Sequence, residues 1–334
     1  MVRLSPKKAG EFHPARPGAN VRYCRIDKPA EKVQGRWAAC ILGAWFQARG
    51  AEPGEWPMNT RLLSMKLSEA PLAVFDFETT GISPYYGQRI VEVGILTSIG
   101  DEVQESYETF VNPRRMIPED TSEIHGIYDE DVEDSPFLSE LLPRISSLFE
   151  DRVLVAHNAP FDLSFLHVEY HLAREKFSQG PVCDTVKLAR ARSEKYDFPD
   201  NRLGTICGEF GIKNQKAHRA LEDVKATFEV FKRFARDLEG DGKSTVADWL
   251  KAQGGDVELS EANHHDLPGD HPIAAALEGG LSLKIEYCDK HGSGTERVID
   301  PLMCHGSLLV AYCHLRDEQR TFRLDRIETI ERIG

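Results

Sequence analysis

"VFDFETTG", residues 74–81, sets two acids, Asp76 and Glu78, inside an apolar run. Val74, Phe75 and Phe77 give that run the character of a buried strand. Residues i and i+2 of a strand project from one face, so the two carboxylates stand together. Like charges that close repel each other unless a cation lies between them. Carboxylate oxygens suit hard ions such as Mg²⁺ or Mn²⁺. Taken alone, the pair fits a solvated surface edge as well as a metal site.

The strand at 72–79 opens a region in which strands and helices alternate. Strands are predicted at 89–98 and 105–112, followed by an amphipathic helix at 135–150 and a buried strand at 152–158. A helix follows at 162–177. Residues 181–193 join a short strand to a helix with Thr185 near its cap. A short helix at 202–212 ends at Gly211, and a long amphipathic helix covers 218–240. This order indicates an α/β or α+β layered fold. Upstream, 1–66 is a basic extension: 1–26 lacks periodicity, a helix spans about 29–49, and 50–57 is a loop. Trp37, Ile41 and Trp45 share one face of that helix. Residues 241–272 are polar and acidic and read as a linker, with one short helix at 244–253. Residues 273–334 turn β-like and form a separate small domain. No internal repeat is evident.

Composition narrows the function classes. The chain has 334 residues, 41% apolar and 28% charged, as in a soluble globular protein of two or three domains. No apolar run approaches the roughly 20 residues of a membrane helix. The longest, at 37–46, is too short, and the basic N-terminus has no apolar stretch behind it to make a signal peptide. The seven cysteines form no CxxC pair, which points to reduced thiols and a cytoplasmic location. The net charge of −13 is uneven. Residues 1–66 hold 12 Lys and Arg against 5 Asp and Glu, so the rest sums to −20. Contact with a polyanion is therefore expected to be local.

Three further stretches change the weight given to Asp76 and Glu78. "AHNAPFD" (156–162) puts Asp162 after a buried strand at a helix start, where the positive helix end favours an ionised carboxylate. "HRALED" (218–223) puts His218 before, and Asp223 within, the first turns of the last helix. Each residue alone reads as a solvated helix acid or a surface histidine. Together, in this order, they resemble the three motifs of the DEDDh, or DnaQ-like, 3′–5′ exonucleases related to RNase T. The resemblance spans about 70–240. "IHGIYDEDV" (124–132) and "CDTVKLARA" (183–191) are similar to further segments of that family. The resemblance implies a ribonuclease H-like fold, a five-stranded mixed sheet flanked by helices. It implies two divalent cations, Mg²⁺ or Mn²⁺, held by Asp76, Glu78, Asp162 and Asp223, with His218 as general base. Thr79, Thr80, Asn158 and His125 become candidate contacts to the terminal nucleotide. The competing roles are turn-shaping for the threonines and a plain loop position for the histidine. Asp184 reads as structural.

The last 60 residues resemble a WYL domain, a small SH3-like β module, through "DPL", "LVAYCHLR" and "RTFRLDRI". Ser307, Leu308 and Leu309 stand where Trp-Tyr-Leu is expected. Arg316, Arg320, Arg323 and Arg326 are candidate contacts to nucleic acid or a small anionic ligand, with ordinary salt-bridge arginines as the alternative. Arg316 and Arg320 could share a strand face. Neighbouring Cys-His pairs there point to opposite strand faces, which argues against zinc.

The expected function is a metal-dependent 3′–5′ exonuclease. It would act on single-stranded nucleic acid with a free 3′ end, DNA favoured over RNA, and release nucleoside 5′-monophosphates. The rival readings are a catalytically weak nucleic-acid-binding or sensor protein and a polymerase-associated proofreading subunit. The sequence specifies no membrane partner, and it does not choose between monomer, homodimer and polymerase complex.

Overall fold

β1 (Pro71–Thr79) divides its side chains between two cores. Leu72 and Val74 enter one, and Ala73, Phe75 and Phe77 enter the other. Such alternation is what a period-two strand gives at the centre of a sheet covered on both faces. The computed structural model describes residues 57–214, 217–259, 261–289 and 293–333. The expected helix at 29–49 lies outside the described residues. A helix not foreseen in the sequence, α1 (Pro57–Ser64), precedes β1.

β1 pairs antiparallel with β2 (Ile90–Ile99), and β2 with β3 (Glu102–Phe110). β3 begins earlier than its own pattern suggests, because hairpin pairing to Ile99 sets its register. Two short helices, α2 (Glu119–His125) and α3 (Asp129–Val132), lead to α4 (Leu138–Phe149). β4 (Val153–Ala156) then runs parallel to β1 on its free side. α5 (Ala159–Ala173) leads to β5 (Val182–Asp184), parallel to β4. α6 (Thr185–Ala191), α7 (Leu203–Phe210) and α8 (Ala220–Gly240) complete this layer. The sheet order is β3-β2-β1-β4-β5, the mixed five-stranded arrangement that the resemblance implies. α8 packs its Val224, Phe228, Phe231 and Phe234 into the core that Leu72 and Val74 enter. α4 and α5 fill the opposite core with Leu142, Ile145, Leu163 and Phe165.

Residues 241–272, expected as a linker, build into this body over much of their length. α9 (Val246–Ala252) buries Trp249 completely, with its ring stacked on Phe231 at 4.7 Å. Gln253 follows, accepting from Asp184 N at 2.9 Å and donating to Val182 O at 2.8 Å. Asp256 accepts from Val182 N at 2.9 Å. These side chains cap the outer edge of β5, where an uncovered strand would leave backbone groups unpaired.

α10 (Pro272–Gly279) introduces a second sheet made of β6 (Ser282–Cys288), β7 (Gly294–His305), β8 (Leu308–Cys313), β9 (Glu318–Arg323) and β10 (Ile327–Ile333). Its order is β10-β6-β7-β8-β9, and every pairing is antiparallel. Leu283, Ile285, Ile299, Leu309 and Phe322 form its core with Ile273 of α10. Leu309, at the last position of the altered triplet, is thus a core residue. Among the described residues, no helix is long and apolar enough to cross a membrane.

Candidate active site

Asp76 and Glu78 continue the face of β1 that Leu72 and Val74 begin. That face is covered by α8, so the acids emerge where the apolar contacts with α8 give out. Gly94 on β2 lies opposite Asp76 and allows the approach. A Cβ there would come within 2.5 Å of Ala220 C and 2.7 Å of Ala220 O. Only a glycine lets the first turn of α8 sit this close to β2, and that turn carries Asp223.

Asp223 is buried and uses both oxygens. Oδ1 accepts from Asn214 Nδ2 at 2.7 Å, and Oδ2 accepts from the backbone N of His218 at 2.8 Å. The carboxylate therefore holds the chain leading into α8 and turns His218 toward the acids. His218 itself is exposed, with a left-handed φ of 66°. Ligand atoms of Glu78, His218 and Asp223 all lie within 4.8 Å of one another. Among the described residues, no such group forms from the cysteines and histidines of the second sheet.

Asp162 arrives from the other side of the sheet, in the first turn of α5. It is 2% exposed and accepts from Phe77 N at 2.9 Å. The β1–β4 register runs from Leu72 to Val74, so Asp162 satisfies an amide beyond that pairing.

The electrostatics follow from this crowding. Burial pushes Asp76 well above the usual carboxylate range, and Asp162, Glu78, Asp223 and Glu92 push it further. Glu78 rises to about 8, through burial first and then repulsion from Asp223, Glu92 and Asp162. Asp162 rises to about 8 through burial, despite the Phe77 amide. Asp223 is raised by burial against the two hydrogen bonds it accepts. Four oxygen-donor acids that repel one another at one strand end match the donor set of hard divalent cations, which would relieve the repulsion.

Glu92 escaped the sequence reading, although a lone acid in the apolar "IVEVG" was a visible signal. It is fully buried on β2, opposite Glu78. It accepts from Arg219 Nη2 at 2.6 Å and Nε at 3.1 Å, and from Ala220 N at 3.0 Å. Glu92 thus fixes the two residues after His218 and anchors the start of α8. The Arg219 charge eases Glu78, but its guanidinium is engaged by Glu92.

The remaining expected contacts fall into distinct settings. Thr79 Oγ1 donates to Gly81 O at 2.7 Å, and Thr80 Oγ1 donates to Gln88 Oε1 at 2.8 Å. Both hydroxyls are spent on shaping the turn. Asn158 is the exposed N-cap residue of α5, at φ 71°, and its side chain makes no capping bond. Its backbone N donates to Asp184 Oδ1, which also caps α6 through Val186 N. His125 ends α2 in a buried position, where burial lowers its pKa. Its Nδ1 accepts from Ile127 N at 3.1 Å, and its Nε2 lies buried without a well-formed hydrogen bond.

The four arginines of the second sheet are divided among different elements. Arg316 lies in the turn between β8 and β9, not on a strand, so it shares no strand face with Arg320. Arg320 pairs with Glu318 at 2.8 Å, and Arg323 with Asp325 at 2.8 Å. Arg326 sits in the 3₁₀ turn Leu324–Arg326.

A mixed sheet whose central strand ends in two acids, met by one acid from each of two helices, is the ribonuclease H-like arrangement that the resemblance implies. Comparison with known proteins gives the families. Residues 73–231 match the RNase T family model, described as Exonuclease, and residues 271–332 match the WYL domain. The chain therefore carries a DEDDh-type exonuclease domain followed by a WYL domain. It is 34% identical over 177 residues to the DNA polymerase III PolC-type protein of Bacillus subtilis, covering 53% of this chain and 12% of that protein. It is 37% identical over 191 residues to a DNA polymerase III subunit epsilon-like protein of Rhodobacter capsulatus, covering 54% of this chain and 26% of the other. The chain thus spans only 12% and 26% of the length of these two relatives. Among solved structures, exonuclease X with 5′ overhanging duplex DNA overlays with a TM-score of 0.42 and 22% identity, over 55% of this chain and 99% of that one. E. coli exonuclease I with a dT13 oligonucleotide overlays with a TM-score of 0.48 and 16% identity, over 73% of this chain and 55% of that one.

Proposed function

We propose that the protein is a metal-dependent 3′–5′ exonuclease acting on single-stranded nucleic acid, DNA in preference to RNA, and releasing nucleoside 5′-monophosphates. One observation carries this reading: Asp76, Glu78, Asp162 and Asp223 crowd at one strand end with the exposed ring of His218 beside them. In this reading the four acids hold two divalent cations, Mg²⁺ or Mn²⁺. When bound, such a pair supplies charge stabilisation for the attacking and leaving oxygens of a phosphodiester. His218, exposed and beside Glu78 and Asp223, accepts the proton of the attacking water. Asp223 holds the His218 backbone in place for that transfer. Asn158 and His125 are the proposed contacts for the terminal nucleotide, and Thr79 and Thr80 keep the adjoining turn in shape. The protein would work in the cytoplasm, where its thiols stay reduced.

A 5′-labelled single-stranded oligonucleotide incubated with Mg²⁺ or Mn²⁺ should yield a ladder shortening from the 3′ end. Asp76→Ala protein should leave the oligonucleotide intact, and equal degradation by that variant would overturn the assignment. Matched DNA and RNA strands in the same assay test the sugar preference. The names of the relatives favour a second reading, a proofreading partner of a polymerase. Co-purification with a replicative polymerase is its test.

A further inference from the structure

The loop between β1 and β2 starts directly after Glu78, Thr79 and Thr80, and it is held at two places. Its base is closed within the nuclease domain. Thr80 N donates to Arg89 O at 2.8 Å, and Arg89 N donates to Thr80 Oγ1 at 3.0 Å. Its tip is held by the WYL domain. The Tyr85 ring stacks on His305 of β7, with centroids 3.8 Å apart and planes 11° from parallel. Tyr85 also packs against a small core shared by Val168 of α5 with Met303 and Val310 of the second sheet.

The same loop lies close against β9 at Gly87 and is bonded to it beside the loop at Arg89. Gly87 takes a left-handed φ of 76°, and a Cβ there would lie 3.1 Å from Thr321 Oγ1 and 3.7 Å from Gln319 Nε2. The Arg89 guanidinium joins three elements. Nε and Nη2 each donate to Glu169 of α5 at 2.6 Å, and Nη1 donates to Gln319 Oε1 at 3.0 Å. Glu169 is buried, so this pair is an anchor rather than a surface decoration. Arg115 adds a donor to Gly87 O.

The loop so fixed presents large apolar side chains to solvent. Ile82 is 86% exposed and Tyr86 is 58% exposed. Both stand within eight residues of Glu78 in the chain.

We propose that the WYL domain is a positioning element for the nuclease domain. Through His305 on Tyr85 and Gln319 on Arg89 it holds loop 81–88 in the conformation that receives the nucleic-acid strand at the acid cluster. His305, Gln319, Tyr85 and Arg89 are positioning residues, since they act through the loop and not on the scissile bond. The role of the loop in substrate capture rests on the exonuclease reading above, whereas its docking on the WYL domain does not.

The test uses the full chain with His305→Ala, Gln319→Ala and the ring-conserving His305→Phe. Steady-state cleavage of a single-stranded oligonucleotide should show KM raised about 5–10-fold in the two alanine variants with kcat within about twofold, the pattern of lost substrate positioning. His305→Phe should return KM close to wild type, because a phenyl ring still stacks on Tyr85. Amide hydrogen exchange should rise at residues 81–88 in the alanine variants and stay unchanged in α8. Unchanged KM, or unchanged exchange at 81–88, would overturn the proposal. If the wild-type protein cleaves nothing, the exonuclease reading fails. Exchange at 81–88 and fluorescence anisotropy with the same labelled oligonucleotide then still decide the positioning role.

Discussion

The two sheets treat charge in opposite ways. At the end of β1, four acids are drawn together and each has its pKa raised by burial. In the second sheet, several charges are exposed and already paired. Lys284 pairs with Glu296 at 2.8 Å, Arg320 with Glu318 at 2.8 Å, and Arg323 with Asp325 at 2.8 Å. Exposed pairs of that kind are worth roughly 0–1 kcal/mol and need no ligand. Buried like charges are costly, and a fold keeps them where something else balances them. The acids of the first sheet thus repel one another, whereas these charges of the second are matched pair by pair.

The sharpest way to break this contrast is to remove one acid. Asp162→Ala should lower the rate of 3′ shortening by on the order of 10³-fold or more, as expected for a group that acts within a unit. Removing Arg320 and Arg323 together should leave that rate within about threefold, since loss of exposed, solvated charges rarely disturbs a distant site. A large loss in the double arginine variant would show that these side chains leave their carboxylates for a phosphate backbone.

Glu92 tests the support behind the acids. Glu92→Gln keeps the shape of the side chain but removes the charge that holds Arg219 and weakens acceptance from Ala220 N. Cleavage should fall about 10–100-fold, the range for groups that orient metal ligands. Manganese titration followed by calorimetry should show weaker binding. Wild-type affinity and rate would mean that the start of α8 holds without this anchor.

The raised pKa values also predict a pH dependence. Glu78 rises from 4.5 to about 8 on folding, so the folded chain binds more protons than the unfolded one between those values. This contribution to stability is fully present below about 4.5 and is lost as pH climbs through about 8. Metal-free protein should therefore show a melting midpoint that falls over this window. Glu78→Gln should flatten the fall. Added Mn²⁺ should raise the midpoint most at the alkaline end, where protons no longer compete for the carboxylates. A wild-type midpoint that rises across the window would contradict the buried repulsion.

A smaller effect separates the packing of 246–257 from a linker. Trp249→Ala removes a fully buried ring stacked on Phe231 and should cost about 3–5 kcal/mol in denaturant unfolding. Rates in the folded fraction should be unaffected, because the ring lies under β5 and α8 and not at the acids.

Much of the candidate site is legible in the sequence. Asp76 and Glu78 share a face because strand side chains repeat every two residues, and Asp162 and Asp223 announce themselves at helix starts. The order of these motifs sufficed to name the family and its mixed sheet. What stayed hidden are contacts between positions far apart in the chain. Arg219 meets Glu92 across 127 residues, and Arg89 meets Gln319 across 230. Gly94 gives no sign in the sequence that a helix backbone would lie 2.5 Å from its missing Cβ. The helix within 241–272 is legible in the sequence, but its docking is not, because the burial rests on one tryptophan and on side chains that cap a strand edge. Local pattern fixes which atoms a residue offers and which face it offers them on. Only tertiary packing decides which distant partner fills that face: here α8 against Gly94, and the WYL domain against the loop beyond Glu78.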